Sequence, residues 1–225
     1  MSPSRGGLDA FQPQAFELAE IPAGSDPGDY YRLLTETYEP LGFMTKEILP
    51  TAESRRFRIS HRGKVVAIFR LTAVDEAASP FFDYVPGARG RRLAEVNNVI
   101  VAADFRATIL LGYLLYHSAL IAHDNGFDFV VGITRHQTLR FFVDFGVIPV
   151  DHPPLHLLGK EHLLDFVIYY ETRSPQSVAY MHERARRYFH QQYVLKTIHE
   201  KYVRGVATPA LVPLEPAGTA WAAAA

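Results

Sequence analysis

The chain has 225 residues, 48% of them hydrophobic and 21% charged, with a formal net charge of −1 at pH 7. That balance belongs to a folded protein with room for one well-buried domain, and it carries no field that draws nucleic acid or a membrane surface. The lack of cysteine excludes disulfides, thiolate nucleophiles and cysteine-ligated zinc, and fits a reducing compartment.

Residues 1–24 are polar with scattered Pro and Gly and read as a flexible N-terminal lead-in. Residues 1–7 lack the apolar core of a secretory signal. The longest apolar run, at 109–115, falls short of the roughly 20 residues of a membrane span. No membrane span is expected, and the location is expected to be cytoplasmic.

Ser25 or Asp26 can cap a helix with Pro27 in its first turn. Tyr30, Leu33, Leu34, Thr37, Tyr38 and Leu41 then recur at helical spacing, and Gly42 closes the helix. A hairpin follows: Phe57 and Ile59 alternate with polar residues, residues 61–64 turn, and residues 65–71 return as a second strand. Gly63 is the residue able to take the positive φ of such a turn. Residues 75–92, rich in Pro, Gly and Arg, read as a long loop.

Residues 93–103 form an expected strand, 106–125 a helix, 127–134 a strand, 137–145 a short helix ended by Gly146, and 147–150 another strand. This β-α-β-α-β series calls for a sheet with crossover helices, and residues 163–170 add a last strand. Ser174 and Pro175 open a long helix to about residue 204, striped by Val178, Met181, Ala185, Phe189, Leu195, Ile198 and Tyr202. Residues 206–225 read as a disordered tail, leaving 25–205 as the folded domain.

The segment from Leu93 to Ile133 resembles the core of the GNAT acyltransferases. There a strand ending in "V-x-p-x-(F/Y)-R" feeds a helix whose N-terminus holds the donor's pyrophosphate. Here the phrase is Val101-Ala102-Ala103-Asp104-Phe105-Arg106, and residues 138–147 echo the family's later "F-Y-x-x-x-G-F". The upstream half is similar to the acyl-homoserine-lactone synthase and N-acyl-amino-acid synthase branch. Tyr31-Arg32-Leu33-Leu34, Gly63 with Arg70-Leu71, and Glu95 through Val101 stand where that branch has its motifs. The resemblance covers residues 28–171 and implies an α/β (α+β) fold, a GNAT-like mixed central sheet flanked by helices, with an added long C-terminal helix.

The departures are specific. The donor loop "R-x-x-G-x-G/A" is replaced by residues 106–111 without either glycine, and the frequent general-acid tyrosine is Phe142. Missing glycines crowd a pyrophosphate more than the single phosphate of carrier-protein phosphopantetheine. An ordinary acetyl-CoA enzyme is therefore disfavoured, and the donor implied is acyl-CoA or the phosphopantetheine of an acyl carrier protein.

Amine acylation needs a base, a polarised thioester and a held donor. The resemblance places Glu95 as the base, against the alternative of a solvent-facing strand carboxylate. Arg70 is placed on the carboxylate of a small-molecule amine such as an amino acid or S-adenosylmethionine, against a surface ion pair. Asn97 shares the Glu95 face by strand alternation, which sends Asn98 to the other face. His136 and Phe142 complete the expected acceptor side. Val99, Val101, Arg106, Ala107, Thr108 and Arg135 are the expected donor contacts, Arg106 standing at a helix start where a cation is unfavourable without an anion.

Arg89, Arg91 and Arg92 offer a docking patch for an acidic carrier protein, or only a solvated loop. Phe81, Phe82, Tyr84, Phe141, Phe142 and Phe145 are candidates for an acyl tunnel or for core. The ten histidines make no metal pattern: His117 and His123 are six apart on a helix, and His152 and His156 lack a carboxylate set. The long terminal helix admits a homodimer, or packing on the chain's own sheet. The alternative to catalysis is a degenerate GNAT fold that binds a ligand or partner.

Overall fold

The computed structural model describes residues 16–26, 28–41, 54–106, 110–156 and 164–199. The expected sites Ala107 and Thr108, the helix stop at Gly42, the first part of the lead-in and the 206–225 tail lie outside the described residues.

Strand β1 (Phe16–Ile21) departs from the expected lead-in. Its inward residues Phe16 and Ile21 are buried, and it pairs antiparallel along β2 (Ser54–His61). An edge strand needs ladder partners on one side only, so its short FELAEI pattern carries little signal by itself. Helix α1 (Gly28–Tyr38) starts as expected, with the Gly28 amide donating to the Asp26 carboxylate at 2.9 Å.

The turn from β2 to β3 (Lys64–Ala73) is as tight as the sequence implies. Arg62 and Gly63 both take positive φ, 52° and 76°, the backbone of a type I′ hairpin. The loop at 75–92 contains one helical turn, α2 (Phe81–Tyr84). Strand β4 (Leu93–Val101) leads through a 3-10 turn (Ala103–Phe105) towards helix α3 (Leu110–Asp124).

Then come β5 (Phe129–Arg135), α4 (His136–Asp144), a two-residue β6 (Ile148–Pro149), β7 (Asp165–Glu171) and α5 (Pro175–His199). The seven strands form one mixed sheet in the order β1-β2-β3-β4-β5-β7-β6. Only β4 and β5 are parallel neighbours; β7 inserts antiparallel between β5 and β6. The expected β-α-β-α-β run is thus a single crossover, through α3, followed by a strand displaced to the edge.

One face of the sheet packs Phe57, Phe69, Leu71 and Ala94 against Leu110 and Leu114 of α3 and Met181 and Ala185 of α5. Two glycines let α5 approach. A Cβ on Gly112 would stand 2.9 Å from both the Phe145 and Tyr188 rings, and one on Gly146, at φ +88°, 2.7 Å from the Tyr180 ring. The opposite face carries two separate apolar clusters. Tyr30, Leu33 and Leu34 of α1 cover Ile68 and Ile100, while Phe82 and Val85 cover Leu93, Val131 and Tyr169. Between these clusters the sheet is polar.

Candidate functional site

The polar strip runs across three strands. Ser54 pairs with Thr72 and Thr72 with Glu95; Arg56 pairs with Arg70 and Arg70 with Asn97. Strand alternation puts all six side chains on the α1 side. The Arg70 Nε donates to Asn97 Oδ1 at 2.7 Å, and the Asn97 side chain in turn hydrogen-bonds the Glu95 carboxylate. Glu95 is half-buried, and its carboxyl is held above the ordinary value by burial, against the pull of Asn97 and the Arg70 charge.

Beside this strip the sheet opens. Pairing of β4 with β5 stops after Leu93–Phe129, Ala94–Val130 and Glu95–Val131, although β4 continues to Val101 and β5 to Arg135. Gly132 follows the last paired residue, and a Cβ there would lie 3.1 Å from the Val96 carbonyl oxygen, so glycine permits the close approach at the fork. On its other edge β4 slips register against β3 between Ile68–Ile100 and Arg70–Asn97, a bulge centred on Asn98, whose φ is +52°.

That bulge corrects the alternation argument for the two asparagines. One extra residue resets the parity, and the Asn98 amide turns to the α1 side, donating to the Tyr30 hydroxyl at 3.2 Å. Asn98 is buried by this bond and Asn97 serves the strip, so both asparagines act on one face.

A cavity of about 710 Å³ occupies the fork. Thr37, Tyr38, Glu95 and Asn97 line it on the α1 side, and Leu114, Leu115, Ala119, Phe142 and Met181 on the α3 side. The apolar half is therefore built jointly by the crossover helix and by the added C-terminal helix. Burial pushes the Tyr38 phenol up to about 12, with Tyr30 adding to the shift and the fields of Arg70 and Arg135 opposing it. The Tyr170 phenol also lines the cavity, and burial pushes it upward too.

The expected site residues divide clearly. Glu95, Asn97, Val99, Val101, Arg106, Arg135 and Phe142 all line the cavity. Arg70 stands behind Asn97 and acts through it. Arg135 faces Asp165 at 3.8 Å, and the exposed Arg106 donates from Nε to the Val101 carbonyl at 3.3 Å. His136 is exposed at the start of α4 and is not among the lining residues. Of the expected tunnel aromatics, Phe142 lines the cavity, while Phe82 and Phe145 are core.

In the arginine loop, Arg89 pairs with Asp83, and Arg92 donates to the Asn125 and Gly126 carbonyls and lies over the Phe127 ring. Arg56, Thr72, Tyr38 and Tyr170 were missed from sequence. Arg56 and Thr72 were signalled only by polar residues at inward positions of strands otherwise rich in Val, Ile and Phe. Among the described residues no three His, Cys, Asp or Glu side chains gather as a metal-binding group, and no helix is long and apolar enough to cross a membrane.

A mixed sheet whose parallel β4 and β5 part beside a bulge, with a helix following β4, is the GNAT fold, as solved structures bear out. The chain is similar to FeeM, an N-acyl amino acid synthase from uncultured soil microbes, at TM-score 0.59 and 12% identity, over 73% of this chain and 93% of that one. It is similar to BjaI, a CoA-dependent acyl-homoserine lactone synthase solved with MTA, at TM-score 0.55 and 17% identity, over 76% and 89%. A GNAT family acetyltransferase from Elizabethkingia anophelis with acetyl-CoA bound matches at TM-score 0.51 and 14% identity, over 70% and 98%. No protein-family model matches the sequence, and no curated protein does.

Proposed function

We propose that the chain is an N-acyltransferase that moves an acyl group from acyl-CoA or an acyl carrier protein to the amine of a small molecule. The observation that carries this reading is the fork between β4 and β5, with Glu95, a carboxylate of raised proton affinity, at its rim. A thioester lying in the fork meets backbone groups that no ladder uses. A carboxylate with raised proton affinity is also a better base towards an ammonium than one in water.

In this reading Glu95 takes a proton from the acceptor's ammonium, directly or through a water. The free amine attacks the thioester carbonyl. Backbone N–H groups at the Asn98 bulge meet the oxyanion that develops. The C–S bond then breaks, giving an amide and the free thiol of the donor. The neutral Tyr38 phenol supplies a hydrogen-bond donor on the rim where Phe142 has none. The first-turn N–H groups of α3 and the Arg106 charge suit the donor phosphate. The apolar part of the cavity, lined by Leu115, Ala119 and Met181, suits an acyl chain longer than acetyl.

The test is mass spectrometry of purified protein incubated with acyl-CoAs from two to fourteen carbons, or with the matching acyl carrier protein, and a panel of amino acids and amines. An N-acyl product that favours chains above four carbons is expected. Calorimetric binding of acyl-CoA with no product from any pair would select the degenerate binding protein instead. A failure even to bind a donor would remove both readings.

A further inference from the structure

Where the cavity wall passes between α3, α5 and the paired ends of β4 and β5, Leu114, Ala119, Val130 and Met181 line it together with two hydroxyl residues, Ser118 and Tyr170. The Ser118 hydroxyl donates to the Leu115 carbonyl at 2.9 Å. Tyr170 is only 2% exposed, and its hydroxyl has no hydrogen-bond partner among the described residues. Tyr116 lies close enough to act on the Tyr170 proton affinity, yet the Tyr116 hydroxyl is engaged with His182 Nδ1 at 3.0 Å. A buried hydroxyl without a partner is costly, so one on the wall of a cavity points to what the cavity holds.

The register says how far Tyr170 lies from the reacting centre. Tyr170 on β7 stands opposite Val130 on β5, and Val130 opposite Ala94 on β4, on the paired side of the fork. The Asn98 bulge, where the thioester carbonyl meets backbone in the acyl-transfer reading, is four residues further along β4, or about 13 Å at roughly 3.3 Å per residue. Helix α3 is the crossover between the two parallel strands and so runs back against them. Its lining residues from Leu111 to Ala119 cover a similar length, about 12 Å at roughly 1.5 Å per residue. Tyr170 and Val130 pack in the same cluster as Leu114 and Ala119. A chain laid along α3 from the bulge therefore brings its far end to Tyr170.

We infer that the Tyr170 hydroxyl donates a hydrogen bond to an oxygen near the far end of the acyl chain, so that the donor is a distally oxygenated acyl thioester rather than a plain alkanoyl one. This rests on the acyl-transfer reading of the fork and names its donor more closely. Burial keeps the phenol protonated, so Tyr170 gives the proton and the chain supplies the lone pair. Leu114, Ala119, Val130 and Met181 offer no cation, so a neutral hydroxyl or keto oxygen fits there and a carboxylate does not. An oxygen on the β-carbon stays beside the thioester and does not reach Tyr170.

The test gives full-length wild type and Tyr170→Phe alkanoyl thioesters of eight, ten and twelve carbons and their ω-hydroxy, β-hydroxy and ω-carboxy forms. Each is supplied both as the CoA and as the phosphopantetheine thioester. Binding is read by calorimetry, and transfer by mass spectrometry with the panel of amino acids and amines. At one length or more, the ω-hydroxy chain should bind wild type about three- to tenfold more tightly than its parent. Tyr170→Phe should reverse that order, because the chain's own hydroxyl is then buried unpaired. A parent preferred at every length, an equal gain from the β-hydroxy form, tighter binding of the ω-carboxy form, an order unchanged in Tyr170→Phe, or no binding of any thioester overturns the contact. The wild-type comparison needs no variant to fold. If ω-hydroxy chains bind through Tyr170 but no amide product forms, the contact stands and acyl transfer falls; if parents and ω-hydroxy chains bind and are transferred alike, transfer stands and the contact falls.

Discussion

His117 gives the fold a pH dependence that can be worked through. It lies on α3 with its ring 4.2 Å from Tyr113 and 5.4 Å from Tyr116. Burial, the single cause, lowers its pKa from 6.5 to about 4. The unfolded chain therefore binds a proton at pH values where the folded one does not. The stability this group contributes is complete above 6.5 and is lost as pH falls from there towards 4. Between pH 8 and pH 5 the two titrations differ by roughly 2 kcal/mol, at 1.36 kcal/mol per unit.

The assay is urea unfolding of wild type and His117→Gln at both pH values. The variant changes stability at pH 8 through packing, so only the difference between pH values is used. Wild type should lose roughly 2 kcal/mol more than the variant on acidification. An identical loss in both proteins would show that His117 is charged in the folded state, or exposed, and would refute the reasoning.

The Tyr170 hydroxyl is buried with no hydrogen-bond partner among the described residues. Tyr170→Phe should therefore stabilise by about 1 kcal/mol, raising Tm by roughly 2–4 °C in calorimetry; a fall of that size would reveal a partner. Gly146→Ala forces a side chain at φ +88° into the Tyr180 ring and should cost more than about 1 kcal/mol in urea unfolding. Replacing Tyr180 by Ala as well should return only the contact part of that loss. Because the Glu95 carboxyl is raised by burial, its ionisation opposes folding. Glu95→Gln should therefore gain stability relative to wild type as pH rises above 4.5, a gain absent at pH 4 and read by thermal denaturation.

Much of this architecture is legible in the residues themselves. The Arg62-Gly63 hairpin is written in turn chemistry, and Leu93 to Gly146 in strand-helix-strand periodicity, because both are local. The fork is less so, since the end of β4–β5 pairing depends on where two distant strands diverge. The bulge at Asn98 is invisible to an alternation rule that assumes an unbroken pleat, and that is why Asn98 was sent to the wrong face. Strand β1 was missed because its partner β2 lies over thirty residues away and supplies the pairing that its own sequence does not announce. Arg56 escaped notice for a similar reason: in sequence it is one of three arginines in four residues. Only the register shows that it is the buried one facing Arg70.

The account turns on Glu95 as the base in amine acylation. Its most direct test is the rate of transfer from an acyl-CoA donor, in wild type and Glu95→Gln, from pH 5 to pH 8. The wild-type rate should climb through a carboxylate titration displaced upward from 4.5. The variant should be slower by about 10²–10⁴-fold with that limb of the profile gone, while donor affinity is unchanged. A variant within threefold of wild type, with the same pH profile, would contradict the account.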